Sequence, residues 1–260
     1  MKIPIYQIDA FAARLFAGNP AAVCPLNEWL DDALMQSIAA ENNLSETAFF
    51  VRRGEGRYHL RWFTPVSEID LCGHATLASA YVVLNYLESA ARLVRFETRS
   101  GELRVERQGD LLSMDFPARP PQPCPPNPAL AAALGMAPKE LWTSRDALAV
   151  YESEDDIRAL SPDMRALAAT GLFAIIVTAP GREADFVSRF FAPGSGIDED
   201  PVTGSAHCTL VPYWSKRLGR TELRAWQVSA RSGELFCRDL GGRVSIAGRA
   251  VPYLEGFINL

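Results

Sequence analysis

Short apolar runs separated by turn residues dominate this chain, and most of them predict strands. In the first half, strands fit residues 3–8, 21–24, 46–52, 58–63, 94–98, 101–108 and 111–115, with a loop carrying Gly18-Asn19-Pro20 ahead of the second. Helices fit 31–40 and an apolar segment that starts after Gly73 and runs to Leu84. In the second half, helices fit 128–134, 155–160 and 206–218, and strands fit 173–178, 184–191, 223–229, 234–239 and 242–248. Most strands are followed by another strand. That order favours an α+β fold, with antiparallel or mixed sheets wrapped around one long apolar helix per half.

The two halves also share sequence. Residues 61–70 (RWFTPVSEID) lie over 189–198 (RFFAPGSGID) with six identities in ten, at an offset of 128 from Arg61 to Arg189. Three residues further on, Cys72-Gly73-His74-Ala75 lies over Thr203-Gly204-Ser205-Ala206, which makes Glu199-Asp200-Pro201 a three-residue insertion in the second copy. This period is far too long for a solenoid and predicts two copies of one domain. Between the copies, residues 118–128 carry six prolines. Proline fixes φ and removes a donor, so this stretch is expected as an extended, semi-rigid linker. The expected organisation is a domain at 1–117, the linker at 118–128 and a domain at 129–260, with the last strand free to cross back to the first domain. A pseudo-twofold and a cleft between the copies follow as expectations, and clefts between domains favour small ligands.

Composition narrows the function. A net charge of −5 gives no electrostatic case for nucleic acid or an anionic membrane surface. No stretch approaches the ~20 apolar residues of a membrane span, and the start lacks the apolar core of a signal peptide; a cytoplasmic protein is expected. Five scattered cysteines argue against a disulfide framework. His59, His74 and His207 show no metal-ligand spacing with Cys or carboxylates, so no metal is expected. Neither GxGxxG nor a phosphate-binding loop occurs, so the nucleotide folds have no support.

Both copies place a glycine-centred turn before their longest apolar helix. A helix N-terminus has unpaired N–H groups and a positive dipole end, and receives anions. Gly73 with His74 and Gly204 with Ser205 are therefore candidates to hold a carboxylate and an enolate-like charge, the plain alternative being a cap on Ser205 and a permissive glycine. The dipole would keep His74 neutral, as a hydrogen-bond donor or proton relay. Asp200 lies in the segment that breaks the repeat, either as a site residue or as a dipole partner. Glu46 opens an apolar strand; it is an exposed strand end or, if desolvated, a general acid/base. Gln227 and Arg231 are further candidates to line the second domain's side.

Gly18-Asn19-Pro20-Ala21-Ala22-Val23, Leu44-Ser45-Glu46-Thr47-Ala48-Phe49, Asp70-Leu71-Cys72-Gly73-His74-Ala75-Thr76-Leu77-Ala78 and Glu199-Asp200-Pro201-Val202-Thr203-Gly204-Ser205-Ala206 resemble the PhzF family of phenazine-biosynthesis-like isomerases, from first strand to last. The resemblance implies the two-domain diaminopimelate epimerase fold, no cofactor or metal, and a homodimer. It implies proton transfer between carbons of one ring, as on the dihydro-hydroxyanthranilate of the phenazine enzyme. It places the proton-carrying glutamate on Glu46, the supporting histidine on His74, the aspartate on Asp200 and the serine on Ser205. Asn19, Gly73, Gly204 and Ser205 would bind a small carboxylate substrate. The two-thiol racemases of this fold fit less well, since Cys72 has Thr203 as its repeat partner, although a helix N-terminus would lower the Cys72 thiol pKa. A racemase using Cys72, or a binding protein without chemistry, are the alternatives.

Overall fold

The structure, a computed structural model, describes residues 1–260 and divides into two units, Met1–Asp115 with Ala247–Leu260, and Phe116–Ile246. The first contains β1 (Lys2–Ala10), β2 (Asn19–Leu26), α1 (Asp32–Asn42), β3 (Glu46–Gly54), β4 (Arg57–Phe63), β5 (Glu68–Ile69), α2 (Gly73–Val82), β6 (Leu93–Thr98), β7 (Gly101–Gln108) and most of β8 (Leu111–Pro117). The second contains β9 (Gln122–Pro123), α3 (Pro128–Leu134), β10 (Glu140–Thr143), β11 (Ala147–Val150), α4 (Glu154–Ala159), α5 (Met164–Ala169), β12 (Ile175–Pro180), β13 (Phe186–Ala192), β14 (Ile197–Asp200), α6 (Gly204–Leu218), β15 (Glu222–Gln227), β16 (Gly233–Asp239) and the start of β17 (Arg243–Gly248). The chain then returns, and β18 (Ala250–Asn259) pairs antiparallel with β1 from Lys2↔Asn259 to Ala10↔Ala250.

The repeat is structural. In the first unit β1–β2 is antiparallel, β2–β3 parallel, β3–β4 antiparallel, β4–β6 parallel and β6–β7 antiparallel, with β5 on β4. In the second, β10–β11, β11–β12, β12–β13, β13–β15 and β15–β16 run in the same order and directions, with β14 on β13. The long helix follows the short strand in both units. Arg61 holds Glu68 through Nε and Nη2 (2.7 and 2.8 Å) and lies over Phe63; Arg189 holds Glu199 the same way (2.7 and 2.9 Å) and lies over Phe191.

That correspondence moves the expected insertion. Glu199, not Gly196, answers Glu68, and Asp200 pairs with Phe190 as Ile69 pairs with Trp62. The extra residues lie in the tight turn Pro193–Ser195 and the irregularity after Phe190, so Glu199-Asp200-Pro201 is not the insertion. Asp200 is a substitution at the Ile69 position.

The long helices are buried along most of their length. In α2, Ala75, Leu77, Ala78, Ala80 and Val82 are enclosed, and the hydroxyls of Thr76 and Ser79 donate to the Cys72 and Ala75 carbonyls instead of standing unsatisfied. The helix expected to reach Leu84 ends at Val82, and Val83–Leu87 forms a wider π-helical turn closed by Glu88 N–H on the Val83 carbonyl (2.7 Å). In α6, Pro212 has no N–H to give the Cys208 carbonyl; the Arg119 amide takes that carbonyl at 2.8 Å. The proline-rich stretch is thus tied into the second unit, with a two-residue edge strand, β9, at its centre. Strands β10, β11 and β14 and helix α5 have no sequence forecast. They are four to six residues long, and Ala-Leu-Ala-Val in β11 has a helix-former composition that burial overrides. No helix is long and apolar enough to cross a membrane.

Candidate active site

Glu46 is the first residue of β3 and Cys72 and His74 flank the first residue of α2, so the ladder fixes one and the helix start the others. Glu46 Oε2 lies 2.9 Å from His74 Nε2, with both side chains buried. The carboxylate oxygen nonetheless accepts no aligned hydrogen bond. On the other side of the ring, Asn19 Nδ2 is 3.1 Å from Nδ1. An amide suits both states of the ring: its N–H donates to a neutral Nδ1, and after a flip its oxygen accepts from an imidazolium. Cys72 is the N-cap of α2, makes no side-chain cap bond, and holds Sγ 3.5 Å from Nδ1 and 4.0 Å from Nε2.

Two electrostatic expectations are overturned here. Burial resists charge on His74, but Cys72 and the Glu46 carboxylate outweigh it and hold the imidazole pKa well above its ordinary value. The helix dipole does not keep it neutral. The Cys72 thiol is pushed up to about 11 by burial and by the Glu46 charge, where a helix N-terminus alone would lower it. The expected absence of metal-ligand spacing also fails in three dimensions: donor atoms of Glu46, Cys72 and His74 all lie within 4.8 Å of one another.

In the second unit the helix start is held differently. Thr203, not Ser205, is the N-cap of α6, and Gly204 is its first residue. The Thr203 hydroxyl donates to Asp200 Oδ2 (2.5 Å), and its amide donates to Gln227 Oε1 (2.8 Å). Gln227, fully buried, returns Nε2–H to the Asp200 carbonyl (2.7 Å). It therefore positions Asp200 and the first turn of α6, while Arg231 lies half-buried in the bend before β16. Ser205 Oγ is 3.4 Å from Arg145, whose Nε and Nη2 hold Asp146 at 2.8 Å each. Sequence reasoning missed Arg145. Counting along the equivalent ladders sets Ala22 against Ala147, so Arg145 stands where Pro20 does, beside the counterpart of Asn19.

The same count sets Glu46 against Ala174, and the helix starts set Cys72 against Thr203 and His74 against Ser205. The acid–base cluster thus belongs to the first copy alone. Asn19, Gly73, His74 and Glu46 come together in one unit, and Asp200, Gly204 and Ser205 in the other.

Residues 8–256 match the family described as phenazine biosynthesis-like protein. An uncharacterized isomerase of Pseudomonas aeruginosa is 54% identical over the full length of both chains. The crystal structure of a PhzF-family phenazine biosynthesis protein from Enterococcus faecalis superposes with a TM-score of 0.98 at 49% identity, again covering all of both chains. A hydroxyproline epimerase from Agrobacterium vitis, at 8% identity and a TM-score of 0.64 over 99% of this chain and 92% of its own, has the same fold.

Proposed function

The chain belongs to the phenazine biosynthesis-like family and is an isomerase, and from that footing we propose that it moves a proton within one small carboxylate-bearing substrate, without a cofactor. The observation that carries this reading is the buried contact between Glu46 and His74, present in only one of two otherwise matching ladders. Glu46 takes a proton from an acidified carbon and returns it elsewhere on the same molecule. His74, held by Asn19, supplies the neighbouring positive charge and the N–H that steadies the carboxylate between the two steps. The first amides of α2, at Gly73 and His74, face no intrahelical acceptor and are suited to the negative charge that develops when the carbon loses its proton.

In the second unit we assign Asp200, Gly204 and Ser205 to substrate recognition. The start of α6 offers unpaired amides, and Arg145 adds a guanidinium 3.4 Å from Ser205 Oγ. Asp200, locked by Thr203 and Gln227, offers a fixed acceptor for a substrate hydroxyl or amine. A second reading makes Cys72 the base, because its sulfur touches the same imidazole. Burial works against it by keeping the thiol protonated.

The test is deuterium incorporation from D₂O, followed by NMR, into a panel of cyclic and amino carboxylic acids. We expect incorporation that Glu46→Gln abolishes and Cys72→Ser retains. Incorporation that survives in Glu46→Gln and disappears in Cys72→Ser would move the base to the thiol.

A further inference from the structure

We propose that Glu46, Cys72 and His74 form a binding site for a thiophilic divalent cation of the zinc class, and that the bound ion blocks proton transfer. Binding stands on the donor geometry alone; the blocking clause rests on the reading of Glu46 as the proton carrier.

A carboxylate, a thiol and an imidazole are the donor types that borderline-soft cations select, and here one atom of each lies within 4.8 Å of the others. Bond lengths of about 2.0–2.3 Å to such an ion place tetrahedral ligands roughly 3.3–3.6 Å apart. The observed separations are 2.9 Å from Nε2 to Glu46 Oε2 and 4.0 Å from Nε2 to Cys72 Sγ, and the sulfur lies nearer the other ring nitrogen, 3.5 Å from Nδ1. Closing the site therefore requires the Cys72 sulfur to swing from the Nδ1 side of the ring toward Glu46. Glu46 Oε2 is buried and meets His74 Nε2 at 2.9 Å without an aligned hydrogen bond, so the oxygen keeps acceptor capacity for an ion. The backbone is fixed on both sides, by the parallel pairing of Glu46 with Ala21 and by the first turn of α2. Asn19 supplies the outer partner that a metal-bound imidazole needs, since its amide contacts Nδ1 and leaves Nε2 for the ion.

The positive end of α2 opposes a cation. Thiolate and carboxylate together bring two negative charges, which balance a divalent ion and outweigh that partial charge. On binding, the thiol proton and the Nε2 proton pass to solvent, and no redox step occurs. Three protein ligands leave a fourth position for water. Oxygen-seeking Mg²⁺ and Ca²⁺ find one carboxylate here and are not held. With the ion in place, Glu46 has lost the lone pair that would take the carbon-bound proton.

The full-length chain would be titrated with Co²⁺ under reducing conditions. We expect one equivalent to produce a near-ultraviolet thiolate-to-cobalt band and visible bands of a four-coordinate ion, bleached by Zn²⁺ and untouched by Mg²⁺. Cys72→Ser should remove the thiolate band, and Asn19→Ala should weaken Co²⁺ binding about 10–100-fold. Cys124→Ser, at the one thiol that is not buried, should keep the band. If Cys72→Ser fails to fold by circular dichroism, Glu46→Gln reads the site through weaker binding. No thiolate band in the wild type, or a band lost in Cys124→Ser and kept in Cys72→Ser, overturns the site. This titration needs no substrate, so it fails separately from the isomerase reading. Deuterium incorporation that falls with Zn²⁺ occupancy and returns with a chelator supports the blocking clause; full incorporation at saturating Zn²⁺ overturns it.

Discussion

Two histidines near the helix starts answer burial in opposite directions. His74 has a carboxylate and a sulfur against its ring and holds its proton more tightly than usual. His207, four residues beyond Thr203, lies against the Phe186 ring and has the Thr203 carbonyl as its hydrogen-bond partner, through an Nδ1 that must donate to it. Burial therefore lowers its pKa from 6.5 to about 4. The unfolded chain takes up this proton as pH falls through the ordinary value, while the folded chain refuses it until about 4. Stability from this residue is full above the ordinary value and declines as pH drops through that window, by about 3 kcal/mol in all. Urea midpoints measured across the window should fall more steeply for the wild type than for His207→Gln; equal slopes would contradict the assignment. At this scale the sequence motifs picked out residues that the structure brings together, but not their charge. Glu46, His74 and Cys72 could be picked from motifs, whereas their mutual contacts join residues 28 positions apart (46 to 74), which no local pattern displays.

Elements with a regular period were legible, and short buried ones were not. Residues 101–108 and 128–134 stand as the sequence predicts, because a strand of alternating burial and a proline-started helix are local signals. The four-residue strands β10 and β11 exist because neighbours pair with them. The Arg189 hairpin is the element whose loss should show most. Its side chain, 13% exposed, holds Glu199 and also donates to the Ile157 and Leu160 carbonyls at the end of α4. Arg189→Ala should cost roughly 2–4 kcal/mol in urea unfolding, because Glu199 and two carbonyls lose their donor together. A change below about 0.5 kcal/mol would mean that solvent replaces it freely. The turn into β2 makes a second case. Gly18 has φ +67°, and a Cβ there would sit 2.1 Å from the Ala10 carbonyl oxygen. Gly18→Ala should destabilise by about 2 kcal/mol or more, and should slow turnover beyond what stability explains, since the next residue is the Asn19 that holds His74.

At the scale of the whole molecule, one ladder is used twice, and the Glu46–His74 contact occurs in one copy alone. The repeat of 61–70 at 189–198 was enough to forecast matching halves, but not the position of the insertion, because Ile197-Asp198 matches Ile69-Asp70 in letters while Glu199-Asp200 matches in pairing. The first unit is built from both ends of the chain: β18 covers β1 along its whole length, and Ala12 N–H bonds the Arg249 carbonyl. A fragment of residues 1–115 should therefore lack a cooperative thermal transition by circular dichroism, because β1 loses its ladder partner on one side. A sharp transition in that fragment would show that the closing strand is dispensable. The homodimer implied by the family resemblance should appear as twice the chain mass in sedimentation equilibrium.

The central claim is that Glu46 carries the proton. Once a substrate is identified, the most direct measurement is its deuterium uptake from D₂O under single-turnover conditions, with wild type, Glu46→Gln and Cys72→Ser compared at equal folded concentration. The account predicts a loss of at least about 100-fold in Glu46→Gln, the usual contribution of a general acid/base, and less than about tenfold in Cys72→Ser. Wild-type uptake in Glu46→Gln would contradict it.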